Sequence, residues 1–179
     1  LIHKWDHYFD IYHKHFHRFR NKECVLLEIG VSKGSLQMWK DYLGPKARII
    51  GVDIDPECKK YEGHGIEIII GSQSDRAFLR TLRENIPSID ILIDDGGHFM
   101  QEQIIAFEEL FCHIRNGGIY LCEDTHTSYW PEFDGGHTKP GSFIEYTKSL
   151  IDTLNAWHIR EKSQAFSPLT KQMASLHFY

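Results

Sequence analysis

Ile89-Asp90-Ile91-Leu92-Ile93-Asp94-Asp95-Gly96-Gly97-His98 is the stretch whose reading decides the fold. Its apolar run, Ile89 to Ile93, predicts a buried strand. The run stops at two carboxylates, a glycine pair and a histidine. A second apolar run, Gly118 to Cys122, ends in Glu123-Asp124. In an open parallel sheet, ligands bind outside the carboxyl ends of the strands. Carboxylates brought close together repel unless a cation or a proton separates them. Asp95, Glu123 and Asp124 therefore read as ligands for a hard divalent cation, with His98 beside them as a base. The plainer alternative is that these acids cap helices or bond loop N–H groups. Two acidic pairs on neighbouring strand tips, one of them with a histidine, favour the cation.

Working toward the N-terminus, the same grammar repeats. Val25-Leu26-Leu27-Glu28-Ile29-Gly30 is an apolar strand entering a glycine turn, followed by Gly34 and a helix with Leu36, Trp39, Tyr42 and Leu43 on one face. Glycines let the backbone approach a ligand, and a helix N-terminus offers free N–H groups. The spacing Glu-x-Gly-x-x-x-Gly lacks the third glycine of a dinucleotide fingerprint. The strand Arg48 to Val52 ends at Asp53, placed where an acid suits the two hydroxyls of a ribose. Capping by Asp53 or Asp55 ahead of Pro56 is the competing reading. Ile66 to Ile70 is a third strand, after which Ser72 and Gln73 could face an adenine ring and Ser74 caps a helix carrying Phe78, Leu79, Leu82 and Ile86. The helix after His98 carries Ile104, Ile105, Phe107, Phe111 and Ile114, and Asn116-Gly117-Gly118 ends it. Alternating β and α elements predict an α/β, doubly wound, mostly parallel Rossmann-like sheet.

Residues 1–22 form an N-terminal unit, with Tyr8, Ile11, Tyr12, His15, Phe16 and Phe19 at helical spacing. His13 and His17 stand at i,i+4, a spacing that suits a metal but also a solvated face. The domain proper covers 23–179. The segment 125–141 is a long loop leaving the second acidic strand tip, and its Tyr129 and Trp130 read as a substrate wall. Ser142-x-x-Glu145 is a capping box for a helix with Phe143, Leu150, Ile151, Leu154 and Trp157 as its core stripe. Residues 160–172 read as polar and mobile. Ala174 to Tyr179 reads as a sixth strand whose hairpin neighbour is missing. A start at Leu1 and a stop inside that strand suggest a segment of a longer chain.

The totals exclude little but consistently. The 179 residues carry 20 Lys plus Arg against 25 Asp plus Glu, a net charge of −5, which argues against a nucleic-acid binder. Cys24, Cys58, Cys112 and Cys122 show no paired metal-binding spacing and fit a reducing compartment. With no signal-peptide pattern and no long apolar run, no membrane partner is expected and cytoplasm is the expected location.

The chain resembles the class I S-adenosylmethionine-dependent methyltransferases. Within them it is most similar to the metal-dependent macrolide-sugar O-methyltransferases of the mycinamicin and macrocin type, and to the cephalosporin-hydroxylase-like family. Leu27-Glu28-Ile29-Gly30-Val31, Ile93-Asp94-Asp95-Gly96-Gly97-His98 and Glu123-Asp124-Thr125-His126-Thr127-Ser128-Tyr129-Trp130 carry the resemblance. It implies that Glu28, Gly30 and Gly34 line the methionine end of S-adenosylmethionine, with Asp53 at its ribose. It also implies that Asp95, Glu123 and Asp124 hold Mg²⁺ and that His98 takes a hydroxyl proton. Asp94 is open among three roles: facing the cofactor, supporting a ligand or replacing one. The implied partner is a small hydroxylated acceptor, a sugar or natural product, and a homo-oligomer is compatible. An NAD-type oxidoreductase and a non-catalytic cofactor-binding module are the rival readings.

Overall fold

A computed structural model describes residues 2, 4–32, 34–160 and 166–179. Strands β1 (Cys24–Ile29), β2 (Ala47–Asp53), β3 (Ile66–Ile70), β4 (Ile89–Asp94) and β5 (Ile114–Cys122) form one sheet. Their order is β3-β2-β1-β4-β5, and every pairing is parallel. Parallel strands need crossovers that cover both faces, which is why β1 to β4 are largely apolar rather than alternating with polar residues. Side chains still alternate between faces. Leu26, Ile49 and Ile68 join one core cluster, while Leu27, Ile50 and Leu92 join the other.

Helices α1 (Asp6–Phe16) and α2 (Ser35–Leu43) cover the first face. Tyr12, Phe16 and Phe19 are buried there with Trp39 and Leu43, so the N-terminal helix shares the core of the sheet. Helices α3 (Arg76–Asn85) and α4 (Met100–Leu110) cover the second face. A third cluster joins α4 to α5 (Phe143–Asn155) through Met100, Ile104, Phe107, Phe143 and Leu150. No helix among the described residues is long and apolar enough to cross a membrane.

Several local expectations need correcting. Asp75, not Ser74, caps α3, accepting from the backbone N–H of Ala77 and Phe78 at 2.9 and 3.2 Å. The Ser74 hydroxyl is paired with Ser72 instead. Asn116-Gly117-Gly118 lies inside β5 rather than at a helix end. There the register slips, from Ile89 opposite Ile114 to Ile91 opposite Ile119, and Gly117 takes a left-handed φ of +79° that the extra residues require. Ile151 and Trp157 are exposed rather than core. Residues 168–172 form a short helix, α6 (Pro168–Gln172), capped by Ser167, while 161–165 of the stretch expected to be mobile lie outside the described residues. Residues 174–179 are not a strand. An alternating sequence becomes a strand only where a neighbour supplies the hydrogen-bond ladder, and β5 pairs only with β4 among the described residues.

Candidate active site

The strand order reverses at β1 and β4, the switch point at which doubly wound sheets bind ligands. A cleft of about 330 Å³ opens there, lined by Gly30, Asp53, Ser72, Gln73, Asp95 and Gly96 among others. The strand tips are held in line beyond the sheet. Gly30 N–H donates to the Val52 carbonyl at 2.8 Å, Asp95 N–H to Ile29 at 2.9 Å, and Glu123 N–H to Asp94 at 2.9 Å. Gly30 takes φ +86°, and a Cβ on it would lie 2.0 Å from the Asp95 carbonyl oxygen. Gly30→Ala is therefore expected to lower stability by about 3 kcal/mol or more, because it combines a left-handed backbone with a clash against main chain. Urea denaturation of the variant checks this, and a loss under about 1 kcal/mol would show that the two turns can separate.

Asp53 stands at the cleft wall with both oxygens already accepting backbone N–H groups, from Val31 at 2.7 Å and Asp55 at 2.8 Å. Each oxygen keeps a lone pair for a ribose hydroxyl. Gln73 bridges two tips: its Nε2 donates to Asp94 Oδ1 at 3.1 Å, and its Oε1 accepts from Gly97 N–H at 2.9 Å. Asp94 is fully buried, and Tyr120 also donates to it, at 3.1 Å. Burial pushes Asp94 up to about 7, against the pull of these hydrogen bonds. It thus sits under the cleft and supports the loop above. Ser72 lines the cleft. Gly34 starts α2 with φ +113°, and Glu28 is buried with its carboxylate accepting from Ser35 at 2.7 Å and Trp39 at 3.2 Å. Neither of these two is on the cleft wall.

Beside the cleft, the acids of β4 and β5 meet. Asp95 and Glu123 share one ammonium, that of Lys4, at 2.5 and 2.9 Å, and Glu28 lies 3.5 Å from it. Tyr12 donates to Glu123 Oε1 at 2.7 Å and Tyr8 to Asp124 Oδ1 at 2.8 Å. Tyr8 and Tyr12, at i and i+4 on one side of α1, thus present two donors, and Lys4 adds a third from just ahead of the helix. The sequence reading placed both tyrosines in the apolar stripe and passed over Lys4. The available signal was two phenols in a core stripe, since a buried hydroxyl needs a partner. Asp95 Oδ1 and Asp124 Oδ2 are left facing His98 Nε2, at 3.8 and 3.7 Å. Those separations exceed hydrogen-bond reach, so three ligand-type atoms converge on a gap without bonding one another. They lie within 4.8 Å of each other.

His98 and Asp124 both adopt left-handed backbone, φ +59° and +50°, an unusual choice for non-glycine residues that clusters at functional sites. The Thr127 hydroxyl lies 3.2 Å from the His98 carbonyl and 3.0 Å from that of Asp124, tying the two turns together. Burial disfavours the charged form of Lys4, but Glu28, Glu123 and Asp95 together outweigh it and raise its pKa. Burial and the neighbouring Asp95 push Glu123 up to about 7 despite Lys4 and Tyr12, and burial raises Asp95 and Glu28 as well. The cluster holds more carboxylate than one ammonium neutralises. Oxygen ligands carrying excess negative charge at an open edge fit a hard divalent cation.

An aromatic rim borders this opening. His126 packs against Trp130 at 4.7 Å, Trp130 against Phe133 at 6.0 Å, and Phe133 against Phe99 at 5.4 Å. Trp5 reaches His126 from the other side at 6.5 Å. Tyr129 and Trp130 are exposed on the segment after Asp124, which is folded into two 3-10 turns, Thr125–Tyr129 and Pro131–Phe133. His13 and His17 are spent locally, on the Tyr42 hydroxyl and on the His13 carbonyl.

This five-stranded parallel sheet, with a glycine turn after β1, an acid at the tip of β2 and a cleft at the switch point, has the class I methyltransferase fold. No protein-family model matches it. It is 36% identical over 180 residues to the 8-demethyl-8-alpha-L-rhamnosyl tetracenomycin-C 2'-O-methyltransferase of Streptomyces olivaceus, covering 94% of this chain and 47% of that one. It is 35% identical over 181 residues to the mycinamicin VI 2''-O-methyltransferase of Micromonospora griseorubida, covering 94% and 45%. It superposes with a TM-score of 0.86, at 34% identity, on the MycE methyltransferase of the mycinamycin biosynthetic pathway in complex with Mg, SAH and mycinamycin VI. That match covers 95% of this chain and 46% of that one. The chain thus spans a little under half the length of these relatives, which are named for small-molecule acceptors.

Proposed function

We propose that the chain carries the catalytic part of an S-adenosylmethionine-dependent, Mg²⁺-assisted O-methyltransferase acting on a sugar hydroxyl of a natural product. The observation that carries this reading is the convergence of Asp95, Asp124 and His98, with Glu123 behind them, beside the glycine-walled cleft. The kinship with sugar O-methyltransferases supports the acceptor class.

In this reading Gly30, Asp53, Ser72 and Gln73 receive S-adenosylmethionine in the cleft, with Asp53 accepting the ribose hydroxyls. Glu28, Gly34 and Asp94 shape the site from behind, through α2 and the loop after β4. Asp95, Glu123 and Asp124 hold the cation. When bound, S-adenosylmethionine supplies an activated methyl, and Mg²⁺ supplies Lewis acidity that makes a hydroxyl easier to deprotonate. Because a hard cation prefers oxygen, the imidazole of His98 is left to serve as base. Its Nε2 takes the hydroxyl proton, the oxygen lone pair forms the new C–O bond, and the C–S bond breaks with its electrons left on sulfur. Asp95 and Asp124, each within 4 Å of Nε2, stabilise the imidazolium that results. Tyr129 and Trp130 form the acceptor wall. A net charge of −5 suits a small neutral acceptor better than nucleic acid.

The test is direct. Purified protein with labelled S-adenosylmethionine, MgCl₂ and mycinamicin VI or another glycosylated acceptor is expected to yield a methyl ether. Binding of NAD in place of S-adenosylmethionine would overturn the reading. Tight S-adenosylmethionine binding without transfer to any sugar acceptor would overturn the acceptor class alone.

A further inference from the structure

Lys4 stands out because its ammonium bridges two of the three proposed cation ligands. Its side chain is 1% exposed, and its partners are Asp95 Oδ2, Glu123 Oε2 and Glu28 Oε1. The first two are carboxylates that the reading above assigns to Mg²⁺. The contacts span 91 and 119 residues of chain, so the fold brings Lys4 there through the docking of α1. Trp5 caps that helix with extended backbone, and Lys4 precedes it. The lysine therefore hangs on a short lead outside the helix and can withdraw without unfolding it.

Resting on that reading, we infer that Lys4 and the divalent cation are alternative occupants of one seat between Asp95 and Glu123, so that Lys4 sets the cation affinity of the site. Asp95 Oδ1 and Asp124 Oδ2 face the open gap, but Glu123 has Oε1 bonded to Tyr12 and Oε2 to Lys4, and a divalent cation taking Glu123 Oε2 repels an ammonium held on that same atom. Binding at Asp95, Glu123 and Asp124 must displace the ammonium. A site whose binding-competent form is only partly populated shows a weakened apparent affinity, and removing the competitor restores it. Tyr8 and Tyr12 keep their bonds to Asp124 and Glu123 during the exchange. They donate to Asp124 Oδ1 and Glu123 Oε1, while the oxygens facing the gap and the seat are Asp124 Oδ2 and Glu123 Oε2.

Two measurements on the full chain test this. Calorimetric titration with MgCl₂ and MnCl₂ should show Lys4→Met and Lys4→Gln binding roughly tenfold or more tightly than the wild type, the order expected when a competing unit charge is removed. Unchanged or weaker binding by both variants would overturn the inference. In the wild type, which needs no variant to fold, the buried Lys4 ammonium should give a water-protected ¹H–¹⁵N signal, assigned by its loss in Lys4→Gln. That signal should disappear as Mg²⁺ saturates the protein. Its persistence at saturating Mg²⁺ would sink the exchange while leaving the cation site standing. No Mg²⁺ binding by the wild type or either variant would sink the cation reading and the exchange with it.

Discussion

His98→Ala is expected to reduce methyl transfer by roughly 10²–10⁴-fold, the range for a removed general base, while S-adenosylhomocysteine binds within about threefold of wild type. The expectation rests on where the ring sits. His98 follows the two glycines after β4, in left-handed backbone, and its Nε2 faces the gap between Asp95 and Asp124. It is absent from the wall of the cleft at the switch point. Its Nδ1 is buried without a hydrogen-bond partner among the described residues, so the working end is Nε2. Truncating the ring therefore removes a proton acceptor without touching the surface that holds the cofactor. Parallel measurement of turnover and of S-adenosylhomocysteine affinity decides the matter. A comparable loss in both would mean that His98 is structural.

Asp95→Ala is expected to abolish the Mg²⁺-dependent rate, a drop of about 10³-fold or more if the cation supplies several kcal/mol. Chelation of the wild type should have the same effect and be reversed by added Mg²⁺. Asp95 is the acid that belongs to both halves of the cluster. Its Oδ2 is bonded to Lys4, and its Oδ1 faces His98 and the gap. Losing it leaves the Lys4 ammonium with Glu123 and Glu28 and leaves Asp124 alone at the opening. Turnover that survives EDTA in the wild type would refute the cation's part in catalysis. Activity retained by Asp95→Ala would move the site elsewhere.

Much of this is legible in the amino-acid sequence because a parallel sheet obeys simple geometry. Its strands are short apolar runs, and they all end on one edge. Asp53, Asp95, Glu123 and Asp124 are each placed there by a strand immediately before them. Gly30 stands where two turns meet too closely for a side chain. What failed to be legible shares a different property. The stretch 174–179 has the alternation of a strand, but strandness depends on a partner. Ile114 was counted into a helix stripe, although α4 stops at Leu110 and a 3-10 turn intervenes. Ile151 and Trp157 fit a stripe by period, yet nothing among the described residues covers them enough to bury them.

The order of elements along the chain was enough to determine the sheet class, the edge that carries the acids and the glycine turn at the cleft. These follow from local runs, whose periodicity and breakers are written in consecutive residues. Only the tertiary structure decided that Lys4, Tyr8 and Tyr12 grip Asp95, Asp124 and Glu123. Those contacts join residues 91 to 119 positions apart. No local propensity encodes such a distance; it arises from how α1 buries its apolar side against Trp39 and thereby aims its polar tips at the strand ends.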